Sequence, residues 1–499
     1  MHNFKLRLLA LLLLAVLSLS ACSHGTQVSS EDAAIILPEP ETSEIGAVYG
    51  DSDRSEPEDV TIYYVSDGRY ALTSVTSSIN VDSDEDLIGN VLSELFNASA
   101  GAMPHSAASG ARLLSYEYSC GTVTVNLSID SMLYQNEIEG QLFIASIVNT
   151  LLDIEGVDAV NILVGDRSIS MCQLPAGVYT AANENIPASY AQLESEAERF
   201  LSGESDAVSR NALLYFPSEN GEYMLPEIRE IEFCSQDYIP MLIDALKEGP
   251  LTESASVSSI PESAELFNAE PSLKVTAAGE RIIQLDFNSL MLNYLAFAGL
   301  EEWELYGSIV LTLTSFLPEI DAVCIMIDGS KLESCRLPDR SLQLDGGLVR
   351  RSDFSVRIGS AARFCFANEA GSLSWKRCAL SQLGANSPKR LLSSLIRTQP
   401  GQQGMSSVFP EGVNPEDILG VQVSERIASV NLSANFYARC QSLDAVRERR
   451  LVYAMVNTLA ELKNIGAVKF YVEGQSIGTL CGGIYLKTPL LPDPGLMAE

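Results

Sequence analysis

Histidine is scarce in this chain of 499 residues, which contains three: His2, His24 and His105. His2 and His24 lie in or beside an N-terminal leader segment, so His105 alone remains in sequence that can fold. Mechanisms that need two histidines, and metal sites that use two, are therefore not expected.

Basic residues are also few, because 32 Lys and Arg face 65 Asp and Glu, which gives a formal net charge of -33. Such a chain is repelled by phosphate backbones and anionic lipid surfaces, so no nucleic-acid partner is predicted for it. Hydrophobic residues make up 46% of the sequence, enough to bury sizeable cores, and the length predicts roughly three domains of about 150 residues.

Motifs of common enzyme classes are missing as well: the sequence has no H-E-x-x-H, no glycine-rich phosphate loop and no C-x-x-C. One segment, Gly474-Gln475-Ser476-Ile477-Gly478, fits the G-x-S-x-G pattern of a hydrolase nucleophile elbow. That elbow needs a strand leading into a helix and a histidine later in the chain, and no histidine follows His105. The sequence therefore predicts a protein that is not an enzyme, with no catalytic residue, no metal and no cofactor.

A single apolar run, residues 8–19, follows Lys5 and Arg7 at the N-terminus. A basic start before a short apolar stretch is typical of a secretory signal peptide, and the run is shorter than the roughly 20 residues that span a bilayer. The next residues, Leu19-Ser20-Ala21-Cys22, resemble a bacterial lipobox. We predict a signal peptide over residues 1–21 and a lipid, palmitate included, on Cys22, which would anchor the exported chain to the outer face of the bacterial cell membrane. The alternative is an ordinary signal peptide with a chance cysteine.

The segment that follows is rich in proline, serine and acidic residues. Like charges repel and keep such a segment extended and solvated. Residues 22–58 are accordingly predicted to be the lipidated cysteine and a disordered acidic tether.

The remaining sequence repeats itself three times with a long period. A helical segment, Ser-Ile-Val-Asn-Thr-Leu at residue 146, returns in diverged form at residues 308 and 454, each time followed by an apolar strand and a polar turn. Upstream of it, a first strand, a first helix and a hairpin recur in the same order. The predicted fold is α+β: three tandem small domains, each a mixed sheet packed against two helices in the order strand, helix, hairpin, helix, strand.

The predicted domains and connecting segments follow from these repeats. Residues 173–210 include a candidate helix, residues 189–201, interpreted as part of a loose connector or alternatively as a partner-binding helix. The ranges are domains at 59–172, 211–335 and 353–482, linkers at 173–210 and 336–352, and an irregular tail at 483–499.

The repeats resemble the GerM (GerMN) domain of bacterial sporulation and spore-germination lipoproteins. The second repeat is the most similar, with Leu214-Tyr215-Phe216-Pro217 at its first strand and Lys247-Glu248-Gly249-Pro250 at the exit of its first helix. The first repeat lacks that Gly-Pro exit. The resemblance implies a fold like the ring-building motif, a role in the envelope during sporulation or germination, and no catalytic residue.

Nine cysteines remain after Cys22, and several recur at matching places. Cys172, Cys335 and Cys481 each follow the last strand of a repeat, while Cys234 and Cys378 each precede a first helix. Because exported proteins can form disulfides, this placement suggests the pairs Cys234–Cys335 and Cys378–Cys481. The alternative is a set of buried free thiols.

Charge is uneven among the repeats. The third holds 14 basic and 10 acidic residues, whereas the second holds 5 and 21 and the first 3 and 15. Basic residues at helix starts oppose the helix dipole, which suggests another role for them. The predicted interaction patch comprises Arg447, Arg449, Arg450, Lys389 and Arg390. Its expected complement is an acidic surface, met by docking within one chain, by head-to-tail self-association, or not at all if the patch is merely solvated.

Two functions fit these observations. The first is a membrane-anchored scaffold that binds other envelope or sporulation proteins, or itself. The second is a peptidoglycan-binding accessory of cell-wall remodelling.

The lipobox generates the first testable prediction. A Cys22→Ala variant should leave the membrane fraction or remain unprocessed, because it removes the thiol that accepts the lipid. Fractionation of cells with detection of the leader by mass spectrometry measures both outcomes. Normal cleavage together with unchanged membrane retention would contradict the assignment.

Overall fold

The structure is a computed structural model. It describes residues 50–51, 57–66, 71–79, 87–97, 110–132, 137–180, 186–251, 255–261, 265–382, 387–401, 404–462 and 464–497. The predicted signal peptide, Cys22 and most of the predicted tether lie outside these ranges.

The first repeat opens with a hairpin and closes with a strand–helix–strand crossover. A short strand, β1 (Gly50–Asp51), precedes this repeat and is not counted among the elements of the repeat. Its elements are β2 (Glu58–Val65), β3 (Leu72–Ile79), α1 (Leu87–Asn97), β4 (Leu113–Ser119), β5 (Thr122–Leu127), a 3-10 turn (Ile129–Met132), α2 (Glu137–Leu152), β6 (Ala159–Val164) and β7 (Arg167–Ser168).

The second repeat follows a connecting segment that contains a helix. An additional helix, Leu290–Ala298, precedes its last helix, as Ala434–Cys440 does in the third repeat, so the predicted order with two helices is incomplete for both. The connecting elements are β8 (Ser170–Met171), β9 (Leu174–Pro175) and α3 (Ile186–Leu201). The repeat comprises β10 (Val208–Pro217), β11 (Met224–Phe233), α4 (Tyr238–Lys247), β12 (Ser272–Val275), β13 (Arg281–Phe287), α5 (Leu290–Ala298), α6 (Glu302–Phe316), β14 (Ala322–Ile327) and β15 (Ser330–Lys331).

The third repeat is reached through three short strands and a helical turn: β16 (Ser334–Arg336), β17 (Ser341–Gln343), β18 (Leu348–Val349) and α7 (Arg351–Phe354). Its elements are β19 (Gly359–Asn368), β20 (Leu373–Ser381), α8 (Pro388–Arg397), β21 (Met405–Ser406), β22 (Ile418–Ser424), β23 (Ile427–Leu432), α9 (Ala434–Cys440), α10 (Ala445–Leu459), β24 (Ala467–Val472) and β25 (Gln475–Ser476).

Each repeat contains two sheets with a helix between them. In the central sheet, a hairpin strand pairs in parallel with the strand that follows the last helix of the repeat, as β5 does with β6, β13 with β14, and β23 with β24. The other sheet is the opening hairpin, β2–β3, β10–β11 or β19–β20. The predicted α+β class is confirmed.

The second strand of each opening hairpin was not predicted, since the sequence suggested a turn followed directly by a helix. The strand β3 reads Leu-Thr-Ser-Val-Thr-Ser-Ser-Ile, and its side chains alternate between half-buried and exposed. A strand that is half exposed and rich in serine and threonine lacks the apolar residues on which a pattern-based prediction depends.

The last helix of each repeat, α2, α6 or α10, is buried along most of its length. In α6, every residue from Trp303 to Phe316 is buried, and a helix that is apolar all round is typical of such a position. The recurring threonine of this helix has a specific role, because its hydroxyl accepts a hydrogen bond from a backbone N–H of the opening hairpin. The three bonds are Tyr63 N to Thr150 Oγ1 at 2.9 Å, Tyr215 N to Thr312 Oγ1 at 3.1 Å and Cys365 N to Thr458 Oγ1 at 3.2 Å.

One buried side chain, Arg351, connects the repeats. It is 4% exposed and donates to Glu117 Oε2 of the first repeat at 2.9 Å and to two groups of the second, Tyr215 Oη at 3.0 Å and Ser315 Oγ at 2.6 Å. Burial opposes its charge, but Tyr215 and Glu117 more than offset this, so the pKa of Arg351 lies above its ordinary value. The three repeats belong to one compact unit, Ser43–Glu499.

The segments predicted as linkers and tail take part in this packing. The linker strand β18 pairs with β14 of the second repeat, and α3 buries Ala197 and Phe200 against the core that it shares with that repeat. In the tail, Leu486 is fully buried and Leu490 bridges to Val468. Within the segment predicted as a disordered tether, β1 pairs in parallel with β22. These segments read as irregular because their partners lie far away in sequence.

The threonine bond can be tested in the second repeat. Thr312→Val should lower the free energy of unfolding by about 1–3 kcal/mol, because it leaves the buried Tyr215 N–H without this acceptor. Thr314→Val is the matched control, since the Thr314 hydroxyl donates to Val310 O within its own helix at 2.7 Å. Urea unfolding compares the two, and equal losses would contradict the assigned role.

Candidate protein interaction site

The predicted basic patch lies on two helices of the third repeat. Arg447, Arg449 and Arg450 occupy the first two turns of α10, and Lys389 and Arg390 the first turn of α8. Asp444 offsets the unfavourable effect of these arginines on the dipole of α10. It caps the helix by accepting hydrogen bonds from the backbone N–H of Val446 at 3.0 Å and of Arg447 at 2.9 Å.

The arginines of α10 also have partners within the repeat. Arg449 pairs with Asp493 of the tail at 3.0 Å and lies over the ring of Tyr453, while Arg447 approaches Asp444 at 3.8 Å. Part of the positive charge therefore stabilises the repeat itself. A role of the patch in self-association stays a prediction.

The G-x-S-x-G segment begins in the turn after β24 and contains β25, so the strand before it leads into another strand and not into a helix. The Gly474 N–H donates to Asn431 Oδ1 on the neighbouring hairpin strand at 2.8 Å. The other repeats build the same turn, with Asp166 N donating to Asn126 Oδ1 at 3.0 Å and Gly329 N to Asp286 Oδ1 at 2.8 Å. The polar turn recurs because it ties the crossover strand to the hairpin.

The nine described cysteines are free thiols, and neither predicted disulfide is formed. Cys335 lies beside Glu302 in the first turn of α6, where burial and that carboxylate raise the pKa of its thiol to about 12. Cys234 follows Phe233, whose ring stacks on Phe316 at the last residue of α6. The two ends of this helix are about 20 Å apart at 1.5 Å per residue. A disulfide needs Cα atoms within about 7 Å.

The third repeat separates the two cysteines of its predicted pair, Cys378 and Cys481, in the same way. Cys481 lies against Glu448 in the first turn of α10, whereas Cys378 pairs across the hairpin with Ala362. The neighbour of Ala362, Arg363, forms an ion pair at 3.2 Å with Glu461, just beyond the other end of α10. The two cysteines of each predicted pair therefore lie near opposite ends of a helix, although they recur at matching positions in the repeats.

Glu448 is a buried carboxylate that the sequence did not single out. It accepts hydrogen bonds from the backbone N–H of Leu480 at 2.8 Å, of Cys481 at 2.9 Å and of Gly483. Burial opposes its ionisation, but the hydrogen bonds from Cys481, Gly483 and Leu480 outweigh this and hold the pKa of Glu448 below its usual value. Gly483 is required here, because a Cβ atom would lie 2.6 Å from Glu448 Oε2.

The second repeat presents a cleft of about 1110 Å³ with an acidic lining. Its walls include the β10–β11 turn, one face of α4 and the junction between α5 and α6. The acidic residues of the lining are Glu219, Asp244, Glu248, Glu301 and Glu304, against one lysine, Lys247. Burial and the negative charge of Glu301 raise the pKa of Glu304.

One face of α5 borders this cleft and is both apolar and exposed. Leu290, Tyr294 and Phe297 lie on it at helical spacing and are 57%, 38% and 95% exposed, while Met291 and Leu295 on a neighbouring face are buried. Gly299, in the left-handed region at φ 72°, ends the helix and allows the chain to turn into the cleft wall. The sequence analysis did not identify this helix or its face.

Among the described residues, no group of three or more His, Cys, Asp or Glu side chains is placed to hold a metal ion. Nor does that part of the chain contain a helix long and apolar enough to span a membrane.

The chain is thus a tandem array of three small α+β domains. Comparison with known families identifies the array, because a family described as "Germane: Sporulation and spore germination" matches it three times, at residues 61–170, 213–333 and 366–478. These matches cover more than half of the chain, which therefore belongs to this sporulation and spore-germination family, and the resemblance seen in the sequence is confirmed.

A curated relative of known name agrees with this assignment. The chain is 25% identical over 218 residues to the spore germination protein GerM of Bacillus subtilis (strain 168), a match over 42% of this chain and 54% of that protein. The chain thus spans about half the length of this curated relative. Similar solved structures include the tandem GerMN domains of the sporulation protein GerM from Bacillus subtilis, at 15% identity, covering 57% of this chain and 98% of that one with a TM-score of 0.24. A putative lipoprotein from Clostridium perfringens is 20% identical, with coverage of 23% and 78% and a TM-score of 0.16.

Glu448 generates a prediction about pH dependence. Its lowered pKa stabilises the fold at pH values above the ordinary carboxyl pKa of about 4.3, and that contribution is lost as the pH falls through the lower folded-state pKa. Glu448→Gln should therefore cost about 1–3 kcal/mol at pH 7, with the difference from wild type shrinking in acid. Urea unfolding at several pH values measures this. Exposed Glu425→Gln is the control, and a constant difference between Glu448→Gln and wild type would contradict the assignment.

Proposed function

We propose that this chain is a non-catalytic envelope lipoprotein, anchored through Cys22, that acts as a protein-binding or assembly scaffold in sporulation or spore germination. The family description names a process and not a reaction. The lipobox supports an exported, membrane-anchored location on the outer face of the cell membrane.

The observation that carries the proposal is the Arg351 joint. A guanidinium that bonds to Glu117, Tyr215 and Ser315 holds the first two repeats against the segment that enters the third. Fixed repeats present their exposed surfaces at constant spacing, which is what a scaffold requires of its binding sites. The buried polar groups that recur, such as Thr312 and Asn431, bond to the chain's own backbone and so serve the fold.

The second candidate is a peptidoglycan-binding accessory of wall remodelling. The acidic cleft of the second repeat is the described feature that could receive such a ligand, because a cleft lined with polar groups can bind a polymer that carries amines and hydroxyls.

The test compares the full chain, tagged and expressed in spore-forming cells, with Arg351→Met and with the exposed control Arg336→Met. Chemical cross-linking of the membrane fraction should join the wild type and the control to defined envelope proteins, and Arg351→Met should lose these products while remaining membrane-bound. Circular dichroism checks that the variant is folded. If the cross-linked products of the wild type persist in Arg351→Met, the Arg351 joint is not required for partner binding.

Co-sedimentation with purified spore wall separates the two functions. The scaffold proposal expects the detergent-purified chain to stay in the supernatant. Saturable sedimentation with the wall would favour the peptidoglycan accessory instead.

A further inference from the structure

Two features of the second repeat meet at the end of α5. One is the exposed apolar face of that helix, Leu290, Tyr294 and Phe297, and the other is the acidic cleft. Ala298, Gly299 and Leu300 connect them, because they continue α5 and line the cleft. We call this combined area the α5 surface.

The apolar part has the form of a binding anchor. A phenylalanine that is 95% exposed is unfavourable in water by the free energy of its apolar area, and the helix that carries it has no charged residue. Large aromatic side chains are enriched among the residues that dominate protein interfaces. The face is therefore suited to packing against apolar side chains of another molecule.

The acidic part determines the charge of that molecule. Glu301 and Glu304 lie next to each other in the wall, with the Glu304 carboxylate accepting from Glu301 N at 2.7 Å. Asp244 and Glu248 face the same cleft from α4, and Asp244 lies 3.2 Å from Lys247, the one lysine of the lining. Glu248 also pairs with Arg229 at 3.4 Å and Glu219 with Lys376 at 2.8 Å, so three of the five carboxylates already have a cationic partner. The excess that remains, from Glu301 and Glu304, attracts Lys or Arg and repels an acidic segment.

We propose that the α5 surface binds a basic amphipathic segment of a partner protein, with apolar side chains on Leu290, Tyr294 and Phe297 and with Lys or Arg side chains in the cleft. The inference deepens the proposed scaffold function and rests on it only in taking the partner to be a protein. The occupant is identified by charge complementarity, since an apolar face beside an acidic cleft matches a segment that has one apolar and one basic side.

The probe is a designed, fluorescein-labelled helical peptide of about 18 residues with Leu at i, i+4 and i+7 and Lys on both flanks. Fluorescence anisotropy with the full chain should show saturable binding that weakens with salt. Two matched peptides, one with Glu for Lys and one with Ser for Leu, should each lose affinity by about tenfold or more. Equal binding of the Glu peptide would overturn the proposal.

Variants of the chain locate the site. Phe297→Ser and the double variant Asp244→Asn/Glu248→Gln should each lower the affinity for the Lys peptide by about tenfold. Leu114→Ser, at a leucine that is 54% exposed in the first repeat, and Glu194→Gln/Glu198→Gln on α3 are controls of the same chemistry elsewhere and should bind as wild type does. Circular dichroism confirms that each variant is folded. Undiminished binding by Phe297→Ser would overturn the proposal.

Sedimentation velocity distinguishes a partner segment from a second copy of the chain. A wild-type dimer that Phe297→Ser converts to a monomer would show that a second copy covers the face, which would also overturn the proposal. Failure of the peptide test leaves the cross-linking result of the scaffold test unaffected, so the two proposals fail separately.

Discussion

A helix buried on nearly all of its faces is the constraint around which each repeat is arranged. The central sheet covers one side of it, and a second sheet, the opening hairpin, must cover another. Strand backbone that faces a helix has no neighbouring strand to bond to, and an unsatisfied buried N–H is costly. Thr150, Thr312 and Thr458 supply the missing acceptor from the helix side. The recurrence of threonine at this position therefore has a physical cause.

The relation among the repeats depends on a second buried polar group. Arg351 would be strongly unfavourable in the interior without partners, and its partners come from residues 36 to 234 positions away in the chain. Replacing one of them would leave a buried charge poorly paired. The repeats are thus held together by specific polar contacts as well as by apolar packing, which specifies one arrangement among the many that apolar contact alone would allow.

The polar groups of the interior serve the fold: Glu448 holds the loop of residues 480–483, and Asn431 holds the turn that resembled a nucleophile elbow. The sporulation and spore-germination family to which the chain belongs is defined by these domains. Differences in exposed residues, such as the apolar face of α5 and the basic starts of α8 and α10, distinguish one repeat from another.

The sequence by itself determined the three repeats, the α+β class and the helices α1, α4 and α8, because these depend on local periodicity and on turn residues that lie within one element. It also carried the family resemblance. The strand β3 left little sign in the sequence, because it is half exposed and rich in serine and threonine. The tertiary structure alone decided the separation of Cys234 from Cys335 and the partners of Arg351 and Glu448. Each of these depends on contacts between residues that are distant in the chain, and such contacts leave no periodic signal in the sequence. The predicted cysteine pairs show this. Recurrence in the repeats shows which cysteines occupy the same place in each domain, but it does not show which two cysteines of one domain are in contact.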